Sequence, residues 1–222
     1  MSKILLKFPT RSRPQTFLNV LRLLVENSSN PKDINYLVSY DIDDPTMQGK
    51  IIEKTMSIPK YIAMFSGHSH SKIHACNRDI NQVTGWDIVV LMSDDMIPQT
   101  YGWDEIIRQK MQKHFPDTDG ALWFNDGYQD RICTLNIFGK KYYDRFGYLY
   151  HPHYTSLWCD NEMTEVAKRL EKLQYFPDVI FKHEHPMNNT RVRKDRLYDK
   201  NESYYHADEK VYKKRELINF DL

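Results

Sequence analysis

The run Ile88-Val89-Val90-Leu91-Met92, with Asp94 and Asp95 just beyond it, constrains the fold of this chain most strongly. Five consecutive apolar residues, most of them β-branched, predict a strand that is covered on both faces, as in a parallel sheet. The paired carboxylates then lie at the carboxyl end of the strand, where open α/β sheets bind ligands. Because adjacent negative charges repel each other, the pair favours a cation or a hydrogen-bonding ligand between its members. A solvated turn after a strand is the simpler alternative, and the rest of the chain decides between the two.

Strands and helices alternate through the first half of the chain. Strands are predicted at residues 4–8, which Pro9 should end, and at residues 34–40, 61–65 and 87–92. Helices are predicted from Pro14 to about residue 27 and at residues 49–56, 71–83 and 103–114. Such alternation implies right-handed βαβ crossovers and a mostly parallel sheet flanked by helices, which is the α/β class.

A polar cluster follows each of the four predicted strands. The clusters are residues 10–13 (Thr-Arg-Ser-Arg), Asp41, residues 66–68 (Ser-Gly-His) and the pair of Asp94 and Asp95. Because the carboxyl ends of parallel strands share one edge of the sheet, all four clusters should converge there. This grouping of basic and acidic side chains favours a ligand site over a set of unrelated turns.

Beyond residue 119 the pattern is less regular. We expect strands at residues 121–125 and 134–138, a helix at 162–173 with Asp160 as its N-cap, and a short strand at 179–181. Residues 187–222 are polar and basic and are predicted to form a tail that is mobile when no ligand is bound. The 222 residues as a whole are predicted to form one domain.

Composition and charge indicate no particular partner but do indicate a cellular setting. The chain has 31 basic and 30 acidic residues, a net charge of +1, and three widely spaced cysteines: Cys76, Cys133 and Cys159. We find no secretory segment and no apolar stretch near the ~20 residues that a membrane span needs. These features predict a cytoplasmic protein with reduced thiols.

A diphosphate bound at the shared edge would need cations, backbone donors and a metal ion. Mg²⁺ or Mn²⁺ sites commonly use one or two carboxylates together with substrate phosphates. Asp95 would supply the oxygen ligand, and His183 or His185 an imidazole. The cationic groups available are Lys72, at the start of a helix whose N-terminus favours anions, and Arg11 and Arg13.

The histidine-rich stretch from His68 to His74, with His183 and His185, raises the alternative of a zinc hydrolase. The aspartate-histidine pair that usually completes the first motif of such enzymes is absent, and Lys72 would place a positive charge beside the dication. We therefore regard zinc as the weaker hypothesis.

Asp160 and Glu162 form a second group of carboxylates, after Trp158 and at the start of a predicted helix. Their ordinary role is to satisfy free amides and to oppose the helix dipole. Their functional role would be that of a general base that removes a proton from an acceptor hydroxyl. Both roles remain open for the two residues.

These motifs, in this order, resemble those of the GT-A glycosyltransferases, especially the family-two-like nucleotide-sugar transferases. Residues 8–14 (Phe-Pro-Thr-Arg-Ser-Arg-Pro) resemble their opening Pro-Thr-Arg-x-Arg-Pro loop, and residues 66–78 resemble their glycine-containing loop and following helix. Residues 92–95 resemble the Asp-x-Asp-Asp signature, although Met92 replaces the first aspartate. Residues 159–162 resemble the acceptor segment, with Cys159 in place of a glutamate.

The resemblance implies a role for each candidate residue in one GT-A domain, with a nucleotide-binding half at 1–97, an acceptor-binding half at 98–186 and the tail at 187–222. It implies that Asp95 and His185 bind Mn²⁺ or Mg²⁺, and Pro186 favours His185 over His183 because it holds the preceding residue extended. Asp160 or Glu162 is implied as the catalytic base. The residues implied to bind the nucleotide sugar are Pro9, Thr10, Arg11, Arg13, Asp41, Gly67, Lys72, Asp94 and Arg191.

The implied function is the transfer of a sugar from a nucleoside diphosphate, which we expect to be UDP, to an acceptor hydroxyl. We expect inversion, and a retaining route stays open if no carboxylate reaches the acceptor. The acceptor is open between a glycan, a small molecule and a modified nucleic acid. Three alternatives remain. They are a metal-dependent hydrolase of phosphoesters or nucleotide sugars, a nucleic-acid-binding module, and a transferase that reaches modified DNA bases through its basic tail.

Overall fold

A seven-stranded sheet runs through the computed structural model, which describes residues 1–222. The strands of the chain are β1 (Ile4–Thr10), β2 (Ile34–Asp41), β3 (Ile62–Gly67), β4 (Ile88–Leu91), β5 (Met96–Pro98), β6 (Ala121–Phe124), β7 (Ile137–Gly139), β8 (Leu173–Phe176) and β9 (Phe181–His183). The large sheet has the order β3-β2-β1-β4-β7-β6-β8, and β5 pairs with β9 in a separate antiparallel ribbon. Only β7 runs antiparallel to its neighbours in the large sheet, which confirms the mostly parallel α/β class.

Eight helices flank the sheet. They are α1 (Pro14–Glu26), α2 (Lys50–Ser57), α3 (Lys72–Asn77), α4 (Trp103–His114), α5 (Lys140–Phe146), α6 (Cys159–Arg169), α7 (Arg196–Glu202) and α8 (Tyr205–Leu217). Three short 3₁₀ turns cover Pro31–Asp33, Ile80–Gln82 and Asn219–Asp221. No helix has both the length and the apolar character that a membrane crossing requires.

Alternate residues of the central strands supply two apolar cores, one on each face of the sheet. In β4, Ile88 and Val90 join the core that contains α1 and α4, while Val89 and Leu91 join the core on the opposite face. Side chains alternate along a strand, so a continuous apolar run fits only where both faces are covered. All four residues of β4 are buried, as the sequence predicts.

Two predicted boundaries in the first half are wrong. Pro9 does not end β1, which continues to Thr10 and pairs Pro9 with Ser39. Pairing of β1 with β4 stops at Lys7, so a residue without an N–H is tolerated on the strand beyond it. The helix predicted at 71–83 ends at Asn77, because the next carbonyl, that of Arg78, accepts a hydrogen bond from the buried Lys7 ammonium at 2.8 Å.

The second half departs further from the prediction. Helix α6 begins at Cys159, three residues earlier than expected, and Trp158 precedes it with a left-handed φ of 63°. Asp160 therefore lies in the first turn rather than at the N-cap. Strand β8 at 173–176 was not predicted, and the last strand covers 181–183 rather than 179–181.

The tail that the sequence predicts to be mobile contains α7 and α8 and packs against the rest of the molecule. Tyr198, Asp208, Arg215 and Phe220 are all buried. Two of these buried residues, Asp208 and Arg215, are charged, and charged residues are rarely buried unless they are paired. The sequence pattern therefore gave no apolar stripe from which a docked helix could be recognised.

Candidate active site

The carboxyl ends of β1 and β2 bring the first two polar clusters into contact. Arg11 donates from Nη1 to Asp41 Oδ2 at 2.6 Å and binds Asp43 with both terminal nitrogens, at 2.8 and 3.0 Å. The other carboxylate oxygen of Asp41 and the hydroxyl of Thr10 are buried and have no hydrogen-bond partner. Buried polar atoms are nearly always paired, so these two atoms mark a place where a ligand would complete the hydrogen bonding.

Gly67 closes the same edge at the end of β3, opposite Asp41 in the strand register. A Cβ added at Gly67 would lie 2.4 Å from Nη1 of Arg78, whose Nη2 donates to the carbonyl of Tyr40 at 2.7 Å. A larger residue at this position would require the guanidinium to shift from its present place. Gly67 therefore has a packing reason to be glycine, whatever its contact with a ligand.

Arg13, which follows β1, forms hydrogen bonds with Asp94 after β4 and with Asp195 in the C-terminal tail. Its Nη1 donates to Asp94 at 3.1 Å, and its Nε and Nη2 donate to Asp195 at 2.7 and 2.8 Å. The guanidinium carbon also lies 3.8 Å from the ring centroid of Tyr198. Asp195 and Tyr198 were not predicted as site residues, because the tail showed no folded pattern from which their position could be inferred.

The pKa values of the neighbouring residues Asp94 and Asp95 are shifted in opposite directions. Burial and the charge of Asp95 raise the pKa of Asp94 to about 6. Burial also opposes ionisation of Asp95, but hydrogen bonding and charge from His183, a hydrogen bond from Ser93 and the charge of Lys72 outweigh it and hold its pKa below the ordinary value. Asp95 is therefore the permanent anion of the pair.

The imidazole next to Asp95 belongs to His183 and not to His185, which the sequence favoured. His183 Nε2 lies 3.7 Å from Asp95 Oδ2, and its Nδ1 is buried without a partner. Strand β9 ends at His183, and His185 lies beyond it in a turn, with its ring 4.6 Å from that of Tyr198. The Tyr198 hydroxyl in turn donates to Asp95 at 3.1 Å.

The residues around Asp95 fit a divalent cation that is completed by a substrate. No three His, Cys, Asp or Glu side chains in the structure are grouped as a ready-made metal site. A zinc site normally takes three or four protein ligands, whereas Mg²⁺ and Mn²⁺ are commonly held by one or two side chains plus phosphate oxygens. One carboxylate beside an imidazole with an unpartnered nitrogen suits the second type, and His70 and His74 instead stack on each other with ring centroids 4.0 Å apart.

Lys72 and Asp160 lie in the first turns of α3 and α6 and are close enough for their charges to interact. Burial would lower the pKa of Lys72, but the surrounding Cys159, Cys76, Asp95 and Asp160 raise it. Its ammonium forms no ion pair within 4 Å. Burial raises the pKa of Asp160, although the positive charge of Lys72 opposes the shift.

The carboxylate of Asp160 has only local hydrogen bonding. One of its oxygens accepts a hydrogen bond from the backbone N–H of Asn161 at 3.0 Å, and no side chain donates to it. A half-buried carboxylate with a raised pKa and a free oxygen has the properties of a general base.

The remaining predicted residues are placed differently. Glu162 is buried, accepts from Arg215 Nε at 2.7 and 2.9 Å and from the Tyr154 hydroxyl at 2.6 Å, so both its oxygens are engaged inside the protein. Arg191 is exposed, and its side chain contacts none of the other predicted residues.

Solved structures share this fold at low sequence identity. The mannosyltransferase PcManGT from Pyrobaculum calidifontis, in complex with GDP-Man and Mn²⁺, has a TM-score of 0.62 and 14% identity over 92% of this chain and 70% of that chain. S. aureus TarS has a TM-score of 0.61 and 13% identity over 85% of this chain and 38% of that chain.

TarS 1-349 in complex with UDP-GlcNAc has a TM-score of 0.59 and 13% identity, and this chain spans 58% of its length. No protein-family model and no curated protein sequence matches this chain. The fold that the sequence motifs resemble is therefore confirmed by structure: the chain has the GT-A fold of glycosyltransferases.

Proposed function

We propose that this protein is a glycosyltransferase that moves a sugar from a nucleoside diphosphate to an acceptor hydroxyl. The observation that carries the proposal is a group of neighbouring side chains near the carboxyl edge of a GT-A sheet: an anion with an imidazole beside it, an unpaired ammonium and a carboxylate with a raised pKa. These groups are Asp95, His183, Lys72 and Asp160. Each suits a different part of a nucleotide sugar.

The nucleoside would bind over the ends of β1 to β3. The unpartnered oxygen of Asp41 can accept a hydrogen bond from an N–H of the base, and the hydrogen bond from Arg11 to its other oxygen orients the carboxylate. Thr10 offers a second unpartnered polar atom, and Pro9 and Gly67 shape the backbone beside it. We expect uridine, whose imide N–H can donate a hydrogen bond to this oxygen, and the parallel measurement with GDP tests the choice of base.

The diphosphate would lie between Arg13, Lys72 and the two aspartates. Arg13 and Lys72 supply positive charge to the leaving group, and Arg191 lies on the exposed segment from which it can reach the same anion. Asp94, with a pKa of about 6, can accept a hydrogen bond from a ribose hydroxyl. Asp95 and His183 would hold Mn²⁺ or Mg²⁺, which stabilises the charge that develops on the departing diphosphate.

Asp160 is proposed as the base. The acceptor oxygen attacks the anomeric carbon, the bond from that carbon to the diphosphate oxygen breaks, and the hydroxyl proton passes to the carboxylate of Asp160. A single displacement of this kind inverts the anomeric configuration. Glu162 would contribute by its buried pairing with Arg215 rather than by proton transfer, since both its oxygens are already engaged.

The proposal is tested by incubating the protein with UDP-GlcNAc, UDP-glucose and GDP-mannose and measuring nucleotide release with Mn²⁺ and with EDTA. Each donor is offered with a glycan, a small-molecule alcohol and DNA that carries hydroxymethylated bases as acceptor. We expect release that requires both metal and one acceptor class. Release of free sugar at the full rate without any acceptor would instead indicate a hydrolase and would contradict the proposal.

A further inference from the structure

The C-terminal helix α8 holds the loop that precedes the proposed base. Asp208 of α8 is 1% exposed, and its carboxylate accepts the backbone N–H groups of Thr155 at 2.9 Å, Ser156 at 2.8 Å and Leu157 at 2.8 Å. Three consecutive amides that converge on one carboxylate fix the path of the backbone, because each charged hydrogen bond is short and directional. The position of residues 155–157 is thus fixed by Asp208, which lies 51 to 53 positions later in the chain.

Residues 155–157 are connected to the segments that carry both Lys72 and Asp160. On one side, the carbonyl of Thr155 accepts the backbone N–H of Ile73, the residue after Lys72, at 3.3 Å. On the other side, the loop leads through Trp158 into the first turn of α6, which carries Asp160. A shift of residues 155–157 would therefore change the separation of the ammonium and the carboxylate.

A second contact from α8 reaches the first turn of α6 itself. Arg215 donates from Nε to both oxygens of Glu162, two residues after Asp160, and both partners of this ion pair are buried. The Trp158 ring packs against Tyr205 and Tyr212 of α8, with centroids 5.5 and 5.3 Å away. Trp158 has a left-handed φ, a conformation that a bulky residue holds only where its surroundings support it.

We propose that Asp208 is a positioning residue for the transfer reaction. Through residues 155–157 it places Asp160 relative to Lys72, and Arg215 supports the same helix start through Glu162. Asp208 does not itself meet the substrate, because its carboxylate is buried and fully engaged with the backbone. This role rests on the proposed function of Asp160 as the base.

The test is Asp208→Asn, which keeps the shape of the side chain but turns one of its acceptors into an N–H₂ that faces backbone N–H groups. Nucleotide release from UDP-GlcNAc, UDP-glucose and GDP-mannose, each offered with the three acceptor classes in Mn²⁺, is measured per folded molecule. We expect kcat to fall about 10–100-fold, because small misplacements of a catalytic group have effects of this order. The KM for the nucleotide sugar should change much less than kcat, because most of the groups proposed to hold it follow β1 to β4, and only Lys72 lies beside the loop that Asp208 holds. The control Glu216→Gln removes the same charge from an exposed position of α8 and should behave as wild type.

A variant that unfolds more easily but keeps the wild-type kcat per folded molecule would overturn the positioning role and leave Asp208 as a structural residue. If Asp208→Asn does not fold, Asp208→Glu provides the same test, since it keeps the charge but its longer side chain displaces the carboxylate that holds residues 155–157. Wild type and Asp160→Asn are measured in parallel. No turnover by wild type would refute the proposed function, whereas full turnover by Asp208→Asn beside an inactive Asp160→Asn would refute only the role of Asp208.

Discussion

Residues 1–97 and residues 98–222 build their two sides of the candidate site in different ways. In the first part, strand pairing positions the site residues, because the parallel strands β1, β2, β3 and β4 bring the segments that follow them to one edge of the sheet. In the second part, the site depends on polar pairs between distant residues, such as Asp208 with residues 155–157 and Arg215 with Glu162. The proposed donor side is thus held by strand pairing in the sheet, while the proposed acceptor side is held by individual buried charges.

This difference has a consequence for tolerance to mutation. A strand-end residue can be changed without moving its strand, because backbone hydrogen bonds hold the strand in place. Removal of one partner of a buried charged pair leaves the other partner without its hydrogen bonds, which costs more than the pair contributed. Substitutions at the buried charged pairs of the second part should therefore disturb geometry, whereas substitutions at the strand ends of the first part should disturb binding alone.

The largest effect is expected for Asp160→Asn. Loss of the base should lower turnover by about 10²–10⁴-fold, the range typical of acid–base catalysis. Affinity for UDP, measured by calorimetry, should stay at the wild-type value because the change lies on the acceptor side. Glu165→Gln, which changes a carboxylate later in the same helix, is the matched control. Normal turnover by Asp160→Asn would return this residue to the ordinary role of an acidic residue at a helix start.

The next effect separates the two histidines. His183→Ala should weaken Mn²⁺ binding in the presence of UDP by about tenfold or more, because His183 lies beside Asp95. His185→Ala is the control, since its ring packs on Tyr198 at the end of the ribbon. Titration of Mn²⁺ followed by electron paramagnetic resonance measures both affinities. A loss confined to His185→Ala would show that the assignment from sequence was right.

The smallest effect concerns stability on the acceptor side. Asp119 pairs with Arg145 at 2.7 Å and with Lys172 at 3.0 Å, and the hydrogen bond from Arg145 lowers its pKa to about 2. Because the pKa is lowered on folding, the carboxylate stabilises the fold above pH ~4 and loses this contribution as the pH falls towards 2. Asp119→Asn should therefore cost about 1–2 kcal/mol at pH 7, after allowance for the exposed partners, and little at pH 2.5. Urea unfolding at the two values checks this, and an equal cost at both would contradict the ion-pair explanation.

The sequence predicted the donor side better than the acceptor side for a physical reason. The strands around Ile88 and the bounds of α4 follow from local periodicity, and the convergence of Arg11 with Asp41 follows from parallel topology. Local patterns carry this information because each residue's environment repeats along the element.

The missed features depend on contacts between residues far apart in the chain. Tyr198 reaches Asp95 across 103 positions, and Asp208 is buried although its type is usually exposed. The choice of His185 over His183 rested on Pro186 alone and stays a prediction, because the pairing of β9 with β5, which places His183 opposite Met96, is set by residues far away in the chain. No short window of sequence contains such pairings.

The central claim is that Asp95 and its neighbours bind a nucleoside diphosphate together with a divalent cation. The most direct measurement is the thermal shift produced by UDP, with GDP in parallel, in Mn²⁺ and in EDTA, for wild type, Asp95→Ala and the exposed control Asp130→Ala. At 100 times its dissociation constant, UDP should add about 2.7 kcal/mol of stability to wild type and to Asp130→Ala in Mn²⁺. It should add almost none in EDTA or to Asp95→Ala. Equal stabilisation of Asp95→Ala and wild type, or no stabilisation by either nucleotide, would contradict the claim.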